Sequence, residues 1–204
     1  MTTLPMFPLG SVLFPFMPLQ LRVFEARYLT MLQQILADEP AEFGVVLIER
    51  GQEVGGGEHR FGVGTVAQIV EVDTVDGFVA VVAQGRRRIE VLAWLDDDPY
   101  PQSTINFLPD LVWTDDLQSV REAAERAVRS VLAVASEFTD DTWPSDIELA
   151  PEPIAALWQL AAITPVGPLD QVRMLKAATA VELMTTIIEL CAAAGESFRS
   201  SLTD

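Results

Sequence analysis

The first 25 or so positions are apolar without being continuous. Residues Leu4 to Tyr28 read LPMFPLGSVLFPFMPLQLRVFEARY, with Pro5, Pro8, Pro15 and Pro18 breaking the run. A membrane-crossing helix needs about 20 apolar residues that satisfy their own backbone hydrogen bonds, and each proline removes a donor. The pattern therefore predicts short extended segments joined by turns at Leu9-Gly10-Ser11 and Phe14-Pro15-Phe16-Met17-Pro18. Leu19, Leu21 and Val23 alternate with Gln20 and Arg22, so their side chains are expected to face a core. The first basic residue is Arg22, after the apolar run, where a secretory signal would carry its positive charge before it. These features predict a soluble cytoplasmic protein whose mature N-terminus stays near Met1.

The period then changes. Tyr28, Leu29, Leu32, Ile35 and Leu36 recur at helical spacing over Glu25 to Asp38, and Glu25 lies in the first turn, where the helix dipole favours a carboxylate. Glu42 to Glu49 reads as a buried strand. Gln52 to Arg60, with three consecutive glycines, reads as a polar loop. Period two returns at Val63 to Asp73, and Asp76-Gly77 turns it into Phe78 to Gln84, a hairpin. Gly85 is expected to turn the chain again into Arg86 to Trp94. Asp96-Asp97-Asp98-Pro99 ends that strand, and Gln102 to Leu108 supplies the last. Many short strands with glycine turns predict a small curled barrel.

Beyond Asp110 the pattern is helical. Leu117, Val120, Ala124, Ala127, Val128, Val131 and Ala135 form one stripe of a helix over Asp115 to Phe138. An acidic, proline-containing connection follows from Thr139 to Pro153. Helices are predicted over Ile154 to Ile163, Leu169 to Lys176 and Val181 to Ala194. The organisation is thus a barrel over residues 1–110 and a helical bundle over 111–204. The bundle's alanine-rich stripes bury little area per residue, so it is expected to lean on the barrel.

Composition narrows the chemistry. Thirteen basic against thirty acidic residues give a formal charge of -17, which opposes nucleic acid and anionic membranes as partners. Cys191, the one cysteine, sits in an apolar helical segment and fits a small buried residue in a reducing compartment. His59 is the one histidine, in the glycine-rich loop, so neither a histidine-based triad nor a zinc site is expected. Lys176, the one lysine, fits a helix end. No P-loop sequence occurs, and Gly62-Val63-Gly64 leads into a strand, not a helix. Asp140, Asp141, Asp146, Glu148 and Glu152 lack the glycine and terminal glutamate of a calcium loop and read as a solvated acidic segment. Arg86, Arg87 and Arg88 alternate across a strand, and their charges are expected in water. No metal and no cofactor is expected.

Several stretches together resemble the start of the Lon N-terminal substrate-binding domain. They are Leu4-Pro5-Met6-Phe7-Pro8-Leu9, Leu13-Phe14-Pro15, Pro18-Leu19 and Val23-Phe24-Glu25-Ala26-Arg27-Tyr28. In order, Phe43-Gly44-Val45-Val46, Val63-Gly64-Thr65-Val66-Ala67, Gly85-Arg86-Arg87-Arg88-Ile89 and Asp98-Pro99-Tyr100 continue the match. The helical half is similar mainly through Pro168-Leu169-Asp170-Gln171 and Leu175. Phe16 stands where many relatives have glycine, and Ala26 where many have proline. The resemblance implies an α+β fold: a PUA-like pseudo-β-barrel with one inserted helix, followed by a C-terminal helical bundle. It also implies a stand-alone substrate-binding domain without the ATPase and Ser-Lys protease modules, hence no ATP hydrolysis and no peptidase activity. Within such a barrel, the prolines of the opening run are expected to keep its strands from pairing along an open edge.

Three functions remain in view. The first is a non-catalytic module that binds polypeptide clients through exposed apolar segments, as a monomer or weak dimer. Its surface would lie in an apolar groove between barrel and bundle, using Phe16, Met17 and Phe24, flanked by Arg22, Glu25 and Arg27. The same three apolar residues could instead be core, and the charged three a local ion pair. The second is a carboxylate-dependent hydrolase, for which no acidic pair stands out. The third is RNA binding, which PUA-like barrels allow by analogy of fold alone.

Overall fold

Strands dominate the first of two compact units, Met1–Asp110 and Leu111–Asp204. The computed structural model describes residues 2–37, 39–50, 59–139 and 142–201. In the first unit the elements run β1 (Thr2–Leu9), β2 (Pro18–Val23), α1 (Ala26–Ile35), β3 (Glu42–Arg50), β4 (His59–Val75), β5 (Phe78–Trp94) and β6 (Gln102–Phe107). The sheet order is β2-β5-β4-β3-β1-β6, and β6 also pairs with β5. That second pairing closes a ring of five strands. It leaves β2 outside the ring, attached to the first half of β5.

β1 runs parallel to β3 through Met6–Leu9 and antiparallel to β6 through Thr2–Pro5. A parallel pair needs a crossover, and β2 with α1 supplies it. The expectation that the prolines border an open edge holds only for Pro18, the first residue of β2. Pro5 and Pro8 lie in a strand with neighbours on both sides. Each half of β1 pairs on one side, so a proline nitrogen can lie where no ladder bond is formed.

The middle strands are buried on both faces. Met6, Val46, Val66, Ile89 and Ile105 fill one cluster, while Phe7, Val45, Ala67, Val81 and Ala83 fill another with α1. Adjacent residues thus enter different cores, as period two demands. α1 presents Tyr28, Met31 and Leu32 inward, spaced at three and four residues. Tyr28 stacks on Phe7 with centroids 3.9 Å apart.

Two expectations for β5 need correction. Gly85 does not turn the chain: Phe78–Trp94 is one strand of 17 residues. A Cβ on Gly85 would lie 2.1 Å from the Phe14 carbonyl oxygen, so glycine is needed there for close approach, not for reversal. Nor do all three arginines reach water. Arg88 is 4% exposed, and its Nη2 donates to the Pro109 carbonyl at 2.7 Å. That bond offsets the cost of burying a guanidinium. Arg86 and Arg87 are exposed.

In the second unit a 3-10 turn (Asp115–Leu117) leads into α2 (Gln118–Ala135), followed by α3 (Pro153–Ile163), α4 (Pro168–Leu175) and α5 (Ala180–Ser201). α5 packs against α2, α3 and α4. α2 buries Ala124, Val128, Val131, Leu132 and Ala135. α3 is apolar almost all round and buries seven of its residues. Glu152, taken from sequence as part of a solvated acidic segment, caps α3: its carboxylate accepts from the backbone N–H of Ile154 and Ala155, two donors the helix start leaves free. Lys176 is exposed and follows the last turn of α4, where a cation meets the helix dipole favourably.

Candidate functional site

The loop between β1 and β2 is pinned at several points. The buried Thr65 hydroxyl donates to the Leu13 carbonyl at 2.6 Å. Met17 N–H reaches back to the Phe14 carbonyl at 3.3 Å, the i to i+3 bond of a β-turn. Pro15 occupies the second position of that turn and Phe16 the third, with φ 64°. A positive φ at the third position, after proline at the second, is the type II turn, whose third residue is normally glycine. Phe16 is the one non-glycine residue with positive φ among the described residues. Its N–H donates to the Gly85 carbonyl at 2.8 Å, and Gly85 N–H donates to the Met17 carbonyl at 2.8 Å. Two residues thus oppose one, a β-bulge, and the missing Cβ of Gly85 makes room for it. Phe16 is 39% exposed. A left-handed aromatic costs about 1–2 kcal/mol and shows part of its ring to solvent.

From that turn β2 runs along β5, with Leu19 opposite Ala83, Leu21 opposite Val81 and Val23 opposite Val79. Gly85 points both its N–H and its carbonyl at the turn, so alternation along β5 makes these three the hydrogen-bonded pairs. The backbone groups of Pro18, Gln20 and Arg22 therefore point away from β5. β2 is the last strand in the sheet order, so among the described residues that side is an open edge. Proline at its first position forfeits an outward donor and no ladder bond. Leu19 and Leu21 are half-buried against the larger core, Val23 is buried, and Gln20 and Arg22 are exposed.

At the far end of β2, Phe24 is 58% exposed. Glu25 is the N-cap residue of α1 without capping it through its side chain. Its carboxylate instead accepts from Arg27 Nε at 3.1 Å, and the Arg27 guanidinium lies 4.5 Å from the Tyr28 ring centroid. Arg22 lies 5.5 Å over the Phe78 ring. Of the six residues expected at the site, the structure joins Glu25 and Arg27 in an ion pair. Phe16 and Phe24 stand at opposite ends of β2, eight residues apart, about 25 Å at the rise of a strand. Met17 is half-buried and packs against the core. The sequence pattern predicts an open edge at the prolines but does not name Gln20 and Arg22 as the residues that carry it. The signal for it was Pro18 before a strict alternation, which together mark a strand with one free side.

Electrostatics around the barrel are quiet. Burial pushes the Glu42 carboxyl above its usual value, opposed by the nearby Arg86 guanidinium. Arg86 Nε donates to Gln68 Oε1 at 2.7 Å, and Arg87 lies 4.1 Å over the Phe107 ring. Arg60 grips Asp97 through both nitrogens at 2.6 and 3.3 Å while stacked 4.3 Å over Trp94. Among the described residues, no group of three or more histidine, cysteine or acidic side chains is placed to hold a metal ion. No helix among them is long and apolar enough to cross a membrane. Asp140, Asp141 and the glycine loop at 51–58 lie outside the described residues. His59 opens β4, opposite Arg50.

The model of the ATP-dependent protease La (LON) substrate-binding domain matches residues 3–192. The chain belongs to the Lon substrate-binding domain family. It is 30% identical over 177 residues to Lon protease 2 of Herpetosiphon aurantiacus, covering 83% of this chain and 21% of that protein. It is 31% identical over 170 residues to Lon protease of Anaeromyxobacter dehalogenans, covering 81% and 18%. The chain thus spans about a fifth of the length of these curated relatives. Two solved structures share the fold, each with a TM-score of 0.65. One is a Lon N-terminal domain protein from Xanthomonas campestris, at 22% identity over 93% of this chain and 98% of that one. The other is the N-terminal domain of Mycobacterium avium complex Lon protease, at 15% identity over 94% and 98%. The matched module is the substrate-binding part of Lon.

Proposed function

We propose that this chain is a non-catalytic polypeptide-binding module of the PUA-like barrel kind, and that an extended apolar segment of a client protein lies along the free edge of β2. The observation that carries this reading is the combination at one strand of an open backbone edge and exposed aromatics, Phe16 and Phe24, at its two ends. An extended peptide adds to such an edge through main-chain bonds, and flanking apolar side chains supply selectivity. The strand's length suits a client stretch of about six residues, roughly 20 Å. The outward groups of Pro18, Gln20 and Arg22 can engage any sequence, as a module for varied clients requires. The two phenylalanines favour apolar ones.

The arginines do not favour nucleic acid. Arg88 is buried, Arg86 is tied to Gln68 and Arg87 covers Phe107, within a chain of charge -17. That charge likewise disfavours anionic membranes. The test is binding of a chemically unfolded apolar client to Phe24→Glu. Covering the exposed part of a phenylalanine, on the order of 100 Å², contributes about 2–3 kcal/mol. The variant is expected to melt like the parent and to bind at least tenfold more weakly. Unchanged affinity would remove Phe24 from the surface.

A further inference from the structure

The helical unit carries a partly apolar groove that the β2 edge does not use. A depression of about 420 Å³ is lined by Leu132 and Ala135 of α2, by Trp143, by Ile163 and Val166, and by Phe198 of α5. A second, of about 430 Å³, shares Pro165, Val166 and Phe198 with it, so the two form one continuous trough. The floor is buried apolar surface. Trp143, 45% exposed, stands at the wall of the trough, and the exposed Phe138 stacks on the lining Phe198 with centroids 5.4 Å apart. The segment that bears Trp143 is held in place, since Arg129 donates to the carbonyls of Ser145 and Ile147 at 2.6 and 3.1 Å.

Carboxylates outnumber cations along the segments that line this trough. Residues 130–172 supply all of its first depression's lining except Phe198. The described residues among them include five carboxylates, Glu137, Asp146, Glu148, Glu152 and Asp170, and no lysine, arginine or histidine. Of those carboxylates Glu152 is spent on the α3 cap. Glu137, Asp146, Glu148 and Asp170 join none of the ion pairs among the described residues. The nearest cations along the chain are Arg129, paired with Glu125, Arg173, paired with Glu189, and Arg199, the neighbour of Phe198.

From this charge complementarity we infer that the trough is a second binding site, for a cationic amphipathic polypeptide segment that places a bulky apolar side chain between lysines or arginines. The apolar side chain fills the depression beside Trp143, and the flanking cations meet Asp170, which lines the second depression, and the carboxylates of the neighbouring chain. Net negative charge along the chain that forms a partly apolar depression attracts such a segment and repels an acidic one of equal hydrophobicity. Selectivity then comes from charge, with the apolar contact common to both.

The test uses the whole chain and two synthetic peptides, one alternating lysine with leucine and tryptophan, the other with glutamate in place of lysine. Binding is read by calorimetry at low and high salt. The cationic peptide is expected to bind at least tenfold more tightly than the acidic one, with affinity falling as salt rises. Trp143→Ala should weaken it at least tenfold. The triple variant D146N/E148Q/D170N should weaken it and flatten the salt dependence without a change in melting temperature. Phe16→Gly should weaken any contact at the β2 edge for both peptides alike and leave the ratio of their affinities unchanged, which separates this site from that edge. Equal binding of the two peptides would overturn the inference. So would an unaffected Trp143→Ala that melts as the parent does, or concentration-dependent self-association of the peptide-free chain abolished by Trp143→Ala, which would assign the trough to a second copy.

Discussion

Replacing Phe16 by glycine and by alanine separates the strain of the turn from the work of the ring. Both variants delete the aromatic, so both lose the same partial burial and the same client contact. They differ in the backbone. At φ 64° alanine keeps the left-handed penalty of about 1–2 kcal/mol, whereas glycine has none. Glycine's freer unfolded chain costs about 0.5–1 kcal/mol at an ordinary position. The difference leaves Phe16→Gly more stable than Phe16→Ala by about 1 kcal/mol, the reverse of the usual order. For a chain of this size that is about 2–4 °C in Tm, within reach of thermal melts by circular dichroism. Client binding, measured on the same samples, should fall equally in the two. An alanine variant as stable as the glycine one would show that Phe16 is not left-handed in solution. Parent-like binding by both would remove the ring from the binding surface while leaving the strain argument intact.

Gly85→Ala should lower stability by about 2–4 kcal/mol and weaken client binding, because its Cβ would meet the Phe14 carbonyl at 2.1 Å and lift the turn; denaturant melts measure the first effect. Glu42 holds its proton more tightly folded than unfolded, because burial raises its pKa above 4.5. Its share of stability is present in acid and is lost as pH rises through the folded value. Glu42→Gln is therefore expected to melt higher than the parent at neutral pH, with the gap closing below pH 4.5. Cys191 is buried, and its thiol is pushed up to about 11. A thiol reagent at neutral pH should modify it only as fast as the helical unit opens, so labelling should accelerate steeply as denaturant approaches the unfolding midpoint.

Local periodicity made most of the elements legible. Leu19, Leu21 and Val23 face inward as their alternation requires, and α1 follows from Tyr28 and Leu32. The misreadings share a cause. Gly85 is a turn signal in isolation, and only the passage of Phe14 over β5, some seventy residues away in sequence, shows that it serves close approach. Arg88 reads as solvated until the register of β5 turns it toward the Pro109 carbonyl. Glu152 looks like one more surface carboxylate until Pro153 is seen to start a helix. The type II turn survives with phenylalanine in glycine's usual place because Thr65 and Gly85 hold it on both sides. For the candidate surfaces, the residue types and an open edge near Pro18 were readable, but which backbone groups face outward was not, since that follows from the pairing of β2 with β5.

Amide hydrogen exchange on the whole chain, with and without an uncharged unfolded client, tests strand addition at β2 most directly. The N–H groups of Leu19, Leu21 and Val23 already face β5, whereas those of Gln20 and Arg22 face outward. If the client adds to the edge, the amides of Gln20 and Arg22 gain protection at saturation, while those of Leu19 and Leu21 change little. A client that binds without slowing exchange at either Gln20 or Arg22 would contradict the proposal.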